Sequence, residues 1–145
     1  MLKGIPPILS PQLLKVLCEM GHGDRLVIAD GNFPAESTGE DRIVIRMDGH
    51  GVPEILEAVL RFFPLDDYAE FPVGLMKVVE GDRAETAIWD IYVNLLKTHS
   101  GKDETAVEHL ERFVFYEEAR KAYAVIATGE TALYANIMLQ KGVVR

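Results

Sequence analysis

Short apolar runs alternate with amphipathic segments along almost the whole chain, and this alternation limits the possible folds more than any other feature. Residues 25–30, 42–47, 72–81, 123–129 and 135–144 are predicted as strands, and residues 12–20, 52–63, 84–100 and 112–122 as helices. Strands that alternate with helices are typical of layered α/β domains, in which helices cover the faces of a sheet. We therefore predict one compact α/β domain over residues 1–145, with a largely parallel sheet flanked by helices.

Local signals mark several of the element ends. Ser10 is placed to cap the first helix, Pro11 fits its first position, and Gly21 is expected to end it. Residues 31–41 are predicted as a loop and residues 130–134 as a turn or short helix. Residues 101–110 show no clear secondary-structure pattern, so this segment is left unassigned.

Composition excludes several classes of partner. The chain carries a net charge of −8 and no basic cluster, so nucleic acid is not an expected partner. The N-terminal stretch lacks both the apolar length of a membrane span and a signal-peptide pattern, so no membrane partner is expected. The single cysteine, Cys18, excludes a disulfide framework, favours a reducing, cytoplasmic compartment, and is expected to pack in the core.

Common cofactor motifs are absent from the sequence. There is no glycine-rich nucleotide loop and no GxSxG motif. The histidines His22, His50, His99 and His109 show no metal-ligand spacing. We therefore expect neither a nucleotide cofactor nor a metal site.

His22 is the first candidate for chemistry. It stands between Gly21 and Gly23, which leave its ring little cover from sequence neighbours. Imidazole suits general acid–base catalysis because its ordinary pKa is close to neutral. A histidine after a helix can equally bind the last helical carbonyl groups, so the residues alone leave both roles open.

Asp30 is the second candidate. It ends a predicted strand, and ligands of open α/β sheets bind beyond the carboxyl ends of the strands. The turn formed with Gly31 and Asn32 can instead be purely local, with the carboxylate accepting a hydrogen bond from its own backbone. Both interpretations remain open at this level.

A third group lies towards the C-terminus. Tyr134 and Asn136 stand two residues apart, and their hydroxyl and amide can donate to one polyhydroxyl ligand. Arg112 can add donors in a fixed geometry. The alternatives are a tyrosine in the core and an arginine at a solvated helix end.

Two long motifs resemble a known family. Residues 10–34, SPQLLKVLCEMGHGDRLVIADGNFP, and residues 127–144, ATGETALYANIMLQKGVV, resemble the terminal motifs of the L-fucose mutarotase / D-ribose pyranase family. Residues 112–122, RFVFYEEARKA, resemble the L-fucose mutarotase branch in particular. The likeness runs nearly end to end, and it favours functional roles for His22 and Asp30 over the local ones.

The resemblance implies an isomerase that interconverts the anomers of a free sugar without a cofactor. It also implies self-association into a ring, expected to be a homodecamer, with the site near a subunit interface. The matching site residues are His22 and Tyr116 for proton transfer, and Asp30, Arg112, Tyr134, Ala135 and Asn136 for substrate binding.

The mechanism expected from this resemblance uses two proton transfers. His22 protonates the ring oxygen, Tyr116 relays the second proton, and Asp30 holds either His22 or a sugar hydroxyl. The exact sugar remains open, and the alternatives are D-ribose pyranase activity, a sugar-binding module without catalysis, and a structural oligomer. His50, His99 and His109 receive no role.

Overall fold

The computed structural model describes residues 1–145 as one sheet with helices on both faces. The helices are α1 (Pro11–Glu19), α2 (Ala35–Thr38), α3 (Val52–Leu60), α4 (Ala87–Ser100) and α5 (Arg112–Arg120). The strands are β1 (Arg25–Ala29), β2 (Ile43–Met47), β3 (Val73–Met76), β4 (Val107–Leu110), β5 (Ala124–Thr128) and β6 (Ile137–Gln140).

The sheet has six strands in the order β2-β5-β1-β6-β3-β4. β1 and β2 both pair in parallel with β5, and β3 pairs in parallel with β4. β6 runs antiparallel between β1 and β3. The predicted α/β class with a largely parallel sheet is therefore confirmed, and β6 is the one reversed strand.

Two apolar cores sandwich the sheet. The larger packs under α1, α3 and α4 and includes Leu13, Leu56 and Tyr92. The smaller packs under α2 and α5 and includes Phe115. Successive strand residues face opposite sides, so β1 and β5, which are covered on both faces, read as continuous apolar runs.

Some element ends differ from the prediction. Ser10 caps α1 as expected, accepting a hydrogen bond from the Leu13 N–H at 3.2 Å. The helix ends at Glu19 rather than at Gly21, and the glycine with left-handed backbone is Gly23, at φ +86°. The helical segment after β1 and the strand β4 were not predicted, because their sequences, AEST and VEHL, contain no apolar run.

Three apolar side chains of the helices lie outside the core. Cys18 is exposed, so its predicted core position is wrong. Phe113 is also exposed, and Phe115 fills the inward position of α5 instead. Ile91 is exposed on α4, whereas Ile88, Tyr92 and Leu96 are buried. A helix buries one stripe, and which apolar residues fall inside it depends on the packing angle.

None of the helices has the length and apolar character that crossing a membrane requires.

Candidate active site

A cleft of about 210 Å³ lies at the carboxyl ends of β1 and β3, where the reversed β6 begins. Its lining is Asp30, Asn32, Phe33, Met76, Asp82, Arg112, Tyr116, Leu133, Tyr134 and Asn136. Five of the seven predicted site residues therefore meet in one place. The volume is below the roughly 300–1,000 Å³ of drug-sized ligand sites and suits a single small polar ring.

Asp30 and Asn136 form the floor of the cleft, and both are buried. The Asp30 N–H donates to Asn136 Oδ1 at 2.8 Å. This bond fixes the orientation of the Asn136 amide, so its NH2 group is the part left for a ligand. The Asp30 carboxylate accepts from the Asn32 N–H at 3.0 Å. The local turn is thus present, and Asp30 lines the cleft as well.

Burial raises the pKa of Asp30 above its ordinary value of 3.8, although backbone N–H groups, that of Asn32 foremost, oppose the shift. A carboxyl group whose pKa is raised by folding binds its proton more tightly in the folded state than in the unfolded state. The fold is therefore destabilised progressively as the pH rises from 3.8, where the unfolded chain ionises, and the full loss is present above the raised pKa. Below 3.8 the group is protonated in both states, and this effect vanishes.

We expect Asp30→Asn to raise the melting temperature at neutral pH, because the amide keeps the acceptor for Asn32 and carries no charge. The gain should shrink as the pH falls and disappear below 3.8. Thermal unfolding measured from pH 3 to 8 checks this. Asp41→Asn, at an exposed aspartate, is the control and should show no such gain. A gain for Asp30→Asn that does not change with pH would contradict the assignment.

Two side chains of α4 hold the segment that precedes β6. The Trp89 indole N–H donates to the Tyr134 carbonyl at 2.9 Å, and the Tyr92 hydroxyl donates to the Ala135 carbonyl at 2.7 Å. Ala135 is fully buried. It does not line the cleft itself, and its contribution to the site is to hold Tyr134 and Asn136 in place through the backbone.

Arg112 and Tyr116 lie one helical turn apart on α5 and form one wall of the cleft. The Arg112 guanidinium lies 5.7 Å from the centre of the Tyr116 ring, and it makes no ion pair within the chain. The Tyr116 ring also packs on Phe33, with 5.5 Å between ring centres. Its hydroxyl lies beside the Arg112 guanidinium, and this contact is the main cause that raises the pKa of Arg112 above its ordinary value. Both groups line the cleft and face a ligand together.

Tyr134 differs from the sequence prediction of a donor to the ligand. Its hydroxyl donates to Asp82 Oδ2 at 2.6 Å and accepts from the Val79 N–H at 3.3 Å. The phenol O–H therefore already donates its hydrogen bond within the chain. In this arrangement Tyr134 can offer a ligand an acceptor and a ring edge, whereas Asn136 supplies the donor.

His22 lies elsewhere, at the opposite end of β1. The Gly23 N–H donates to the Lys141 carbonyl beyond the last residue of β6. Residues 24–30 form an extended run, which places His22 about 20 Å from Asp30. Within one chain, Asp30 therefore does not hold His22, and its other expected role, at a sugar hydroxyl, is the one that its own cleft allows.

The partner of His22 is Asp66. The ring Nε2 and Asp66 Oδ1 are 3.1 Å apart, and the Tyr68 ring packs 5.6 Å from the imidazole. His22 is half-exposed, whereas Asp66 is buried. A carboxylate can only accept, so this contact places the hydrogen on Nε2 and leaves Nδ1 to face solvent or a ligand. His22 does not cap the helix.

Asp66 is itself held by a chain of contacts. It accepts from the Gln140 amide at 2.9 Å, and Gln140 accepts from Arg25 Nε at 3.3 Å. Arg25 also pairs with Glu118 of α5. Burial alone would raise the pKa of Asp66, but the hydrogen bonds from the Tyr68 N–H, Gln140 and His22 outweigh it, and the pKa of Asp66 lies below its usual value.

Two residues of this arrangement were missed in the sequence, Asp66 and Asp82. Asp66 stands beside Asp67 after an amphipathic helix, and nothing local says which of the two is buried. Asp67 is exposed and pairs with Lys102. Asp82 sits in a polar Gly-Asp-Arg segment that reads as an ordinary turn. Only the folded chain brings each aspartate to its partner.

The remaining histidines lie outside the cleft. His50 pairs with Glu54, His99 lies 3.5 Å from Glu57, and His109 stacks on Trp89. No three metal-ligating side chains group together. A larger cavity of about 450 Å³ lies near the N-terminus, but its wall is mostly apolar and includes Cys18 at its edge. It does not suit a polyhydroxyl ligand.

The fold and the cleft define a small α/β protein with a polar, ring-sized ligand site at the carboxyl edge of its sheet. Residues 3–144 match the model of the RbsD / FucU transport protein family. The chain is 49% identical over 146 residues to the fucose mutarotase of Homo sapiens, covering 98% of this chain and 94% of the human one. The chain belongs to this family.

Solved structures agree with this assignment. FucU from Bifidobacterium longum is 62% identical with a TM-score of 0.97, covering 99% of this chain and all of that one. A fucose mutarotase from Streptococcus pneumoniae, solved in complex with L-fucose, is 48% identical with a TM-score of 0.93 and the same coverage. RbsD of Bacillus subtilis, solved with D-ribose, is more distant at 26% identity and a TM-score of 0.76, with both chains fully covered.

Proposed function

We propose that this protein is a mutarotase that interconverts the α and β anomers of L-fucose. The observation that carries the proposal is the cleft that joins Asp30, Arg112, Tyr116, Tyr134 and Asn136. These side chains supply donors and acceptors for the hydroxyls of a sugar ring and one hydroxyl that can relay a proton. Relatives named fucose mutarotase, similar over nearly the whole chain, support it. The single cysteine also fits a cytoplasmic location.

The reaction requires two proton transfers. A cyclic aldose opens when its anomeric hydroxyl loses a proton and its ring oxygen gains one. Rotation about the bond next to the aldehyde, followed by closure, gives the other anomer. Groups that give and take protons at these two oxygens are sufficient, and positioned acid–base groups typically contribute about 10²–10⁴-fold in rate.

Binding is assigned to the groups that remain unpaired in the cleft. Arg112 and the Asn136 amide donate to sugar hydroxyls, and the Tyr134 oxygen accepts from one. Asp30 accepts from another. The Tyr116 hydroxyl, beside Arg112, relays the proton of the anomeric oxygen: it accepts that proton and passes its own to solvent, and the transfers reverse on closure.

The ring-oxygen proton is assigned to Nδ1 of His22 from a neighbouring subunit: the imidazolium form, with its Nε2–H on Asp66, gives the proton on ring opening and takes it back on closure. The two halves of the site lie about 20 Å apart in one chain, so a symmetric assembly must bring the His22 of one copy to the cleft of the next. Asp66 then orients the imidazole, in place of the role expected for Asp30. A closed ring of identical subunits, a homodecamer, provides such repeated interfaces. Native mass spectrometry reports the subunit number.

L-Fucose is favoured over D-ribose by the cleft wall as well as by the relatives. Fucose is a 6-deoxy sugar and carries a methyl group. Phe33, Met76 and Leu133 give the cleft an apolar side that can receive this methyl group. The ribose-bound relative is much less similar than the fucose-bound one.

The proposal is tested by saturation transfer between the α and β anomeric protons of L-fucose, with and without the protein. We expect exchange that increases in proportion to protein concentration, and a weaker effect on D-ribose. D-Ribose exchange alone would assign the protein to the pyranase branch. Binding of L-fucose without faster exchange would make it a sugar-binding module, and neither binding nor exchange would leave a structural oligomer.

A further inference from the structure

The cleft is bordered on one side by a strap, which we define as residues 78–85 between β3 and α4. Most of the strap is exposed, and it contains no helix or strand. It makes no ion pair with the rest of the chain. Two hydrogen bonds connect it to the body of the protein, and both go to the phenol oxygen of Tyr134, from the Val79 N–H and to Asp82 Oδ2.

Tyr134 has an unusual backbone for this role. At φ +54° it is the only non-glycine residue with a left-handed conformation. Such residues persist where their surroundings hold them, and they concentrate at functional sites. Tyr134 is held at both ends, at its carbonyl by Trp89 and at its hydroxyl by the strap.

Asp82 is well placed to be the stronger of the two contacts on the phenol. Its bond to the Tyr134 oxygen is charge-assisted and 2.6 Å long, against 3.3 Å for the Val79 N–H. Its other carboxylate oxygen accepts from the Ala84 N–H at 3.0 Å, which orients the carboxylate towards the phenol. In line with this contact, the pKa of Tyr134 lies above its ordinary value, chiefly through the hydrogen bond to Asp82.

We propose that Asp82 is a positioning residue that acts through Tyr134. By accepting the hydrogen bond of the phenol O–H, Asp82 holds the strap against the cleft and leaves Tyr134 only an acceptor for the sugar. A free phenol can instead donate or accept and can rotate away. Asp82 thus selects ligands that present a hydroxyl donor at this point of the cleft. The effect on sugar binding rests on the proposed function, whereas the effect on the strap does not.

The test compares Asp82→Ala, Tyr134→Phe and the double variant with the full-length protein. Hydrogen–deuterium exchange of the strap peptide in sugar-free protein is the first readout. Each single variant should speed exchange of the strap about tenfold, the scale of one net hydrogen bond. The double variant should exchange no faster than Tyr134→Phe, because that substitution already removes both hydrogen bonds to the phenol oxygen, the one with Asp82 included. Glu85→Ala, which removes an unpaired strap carboxylate, is the control and should leave exchange unchanged.

Saturation transfer on L-fucose is the second readout. Asp82→Ala should weaken the apparent affinity about tenfold. The exchange rate at saturating sugar should stay within about threefold, because Asp82 touches no reacting atom in this assignment. In Tyr134→Phe, the further Asp82→Ala change should have no additional effect on affinity.

Two results would overturn the role of Asp82. One is that the effects of the two substitutions on strap exchange or on affinity add up in the double variant. The other is that the strap exchanges equally fast in wild type and in Asp82→Ala. Wild-type protein that neither binds nor exchanges L-fucose would instead remove the proposed function, and the strap measurements would still decide whether Asp82 and Tyr134 are coupled.

Discussion

His22→Ala is expected to lose about 10²–10⁴-fold in the protein-dependent exchange of L-fucose anomers, the usual contribution of one positioned acid–base group. The sugar should still bind, because the groups assigned to its hydroxyls all lie in the cleft. His22 is assigned the transfer of a proton and no contact that contributes to binding. Saturation transfer gives the rate, and a titration followed by sugar chemical shifts gives the affinity. The expected pattern is a large fall in rate with an affinity within about threefold of wild type.

His50→Ala is the matched control for this loss. His50 is also exposed at the surface and also contacts a carboxylate, that of Glu54 at 3.0 Å. It does not line the cleft and is assigned no role, so its removal should leave exchange unchanged. If His22→Ala exchanged L-fucose anomers at the wild-type rate, the assignment of His22 would be refuted. Equal losses of rate in the two variants would point to a general effect of removing a histidine.

Mixing two inactive variants is expected to restore activity. His22→Ala keeps an intact cleft, and Tyr116→Phe keeps an intact His22. If each site takes its cleft from one subunit and its histidine from the next, random co-assembly at equal amounts makes about a quarter of the sites complete. The activity of the mixed assemblies should therefore approach about a quarter of the wild-type value. Each variant alone has only a small fraction of that activity.

The mixing experiment requires subunit exchange, achieved by refolding the two variants together or by co-expression. Refolding each variant alone is the control and should give no recovery. A double variant carrying both substitutions, mixed with either single one, should also stay inactive or recover far less. No recovery in mixed assemblies whose mass spectra prove subunit exchange would place both halves of the site in one subunit, against the geometry of the chain.

The sequence by itself was sufficient for the architecture and for most of the cleft. Apolar runs that alternate with amphipathic helices predicted the sheet and its class, because burial on both faces requires continuous apolar strands. Asp30 was recognisable because it ends a predicted strand, and Tyr134 and Asn136 because a hydroxyl and an amide stand two residues apart. Arg112 and Tyr116 were placed by resemblance to the family, and the structure brings them to the same cleft.

Only the tertiary structure decided how these residues are connected. The reversed direction of β6 depends on pairing with two strands distant in sequence, which periodicity does not encode. The separation of His22 from Asp30 follows from the length of β1 between them. The partnerships of Asp66 with His22 and of Asp82 with Tyr134 span 44 and 52 residues. Local signals identify a residue's chemistry, but the partner that gives it a role is chosen by contacts that form only when the chain has folded.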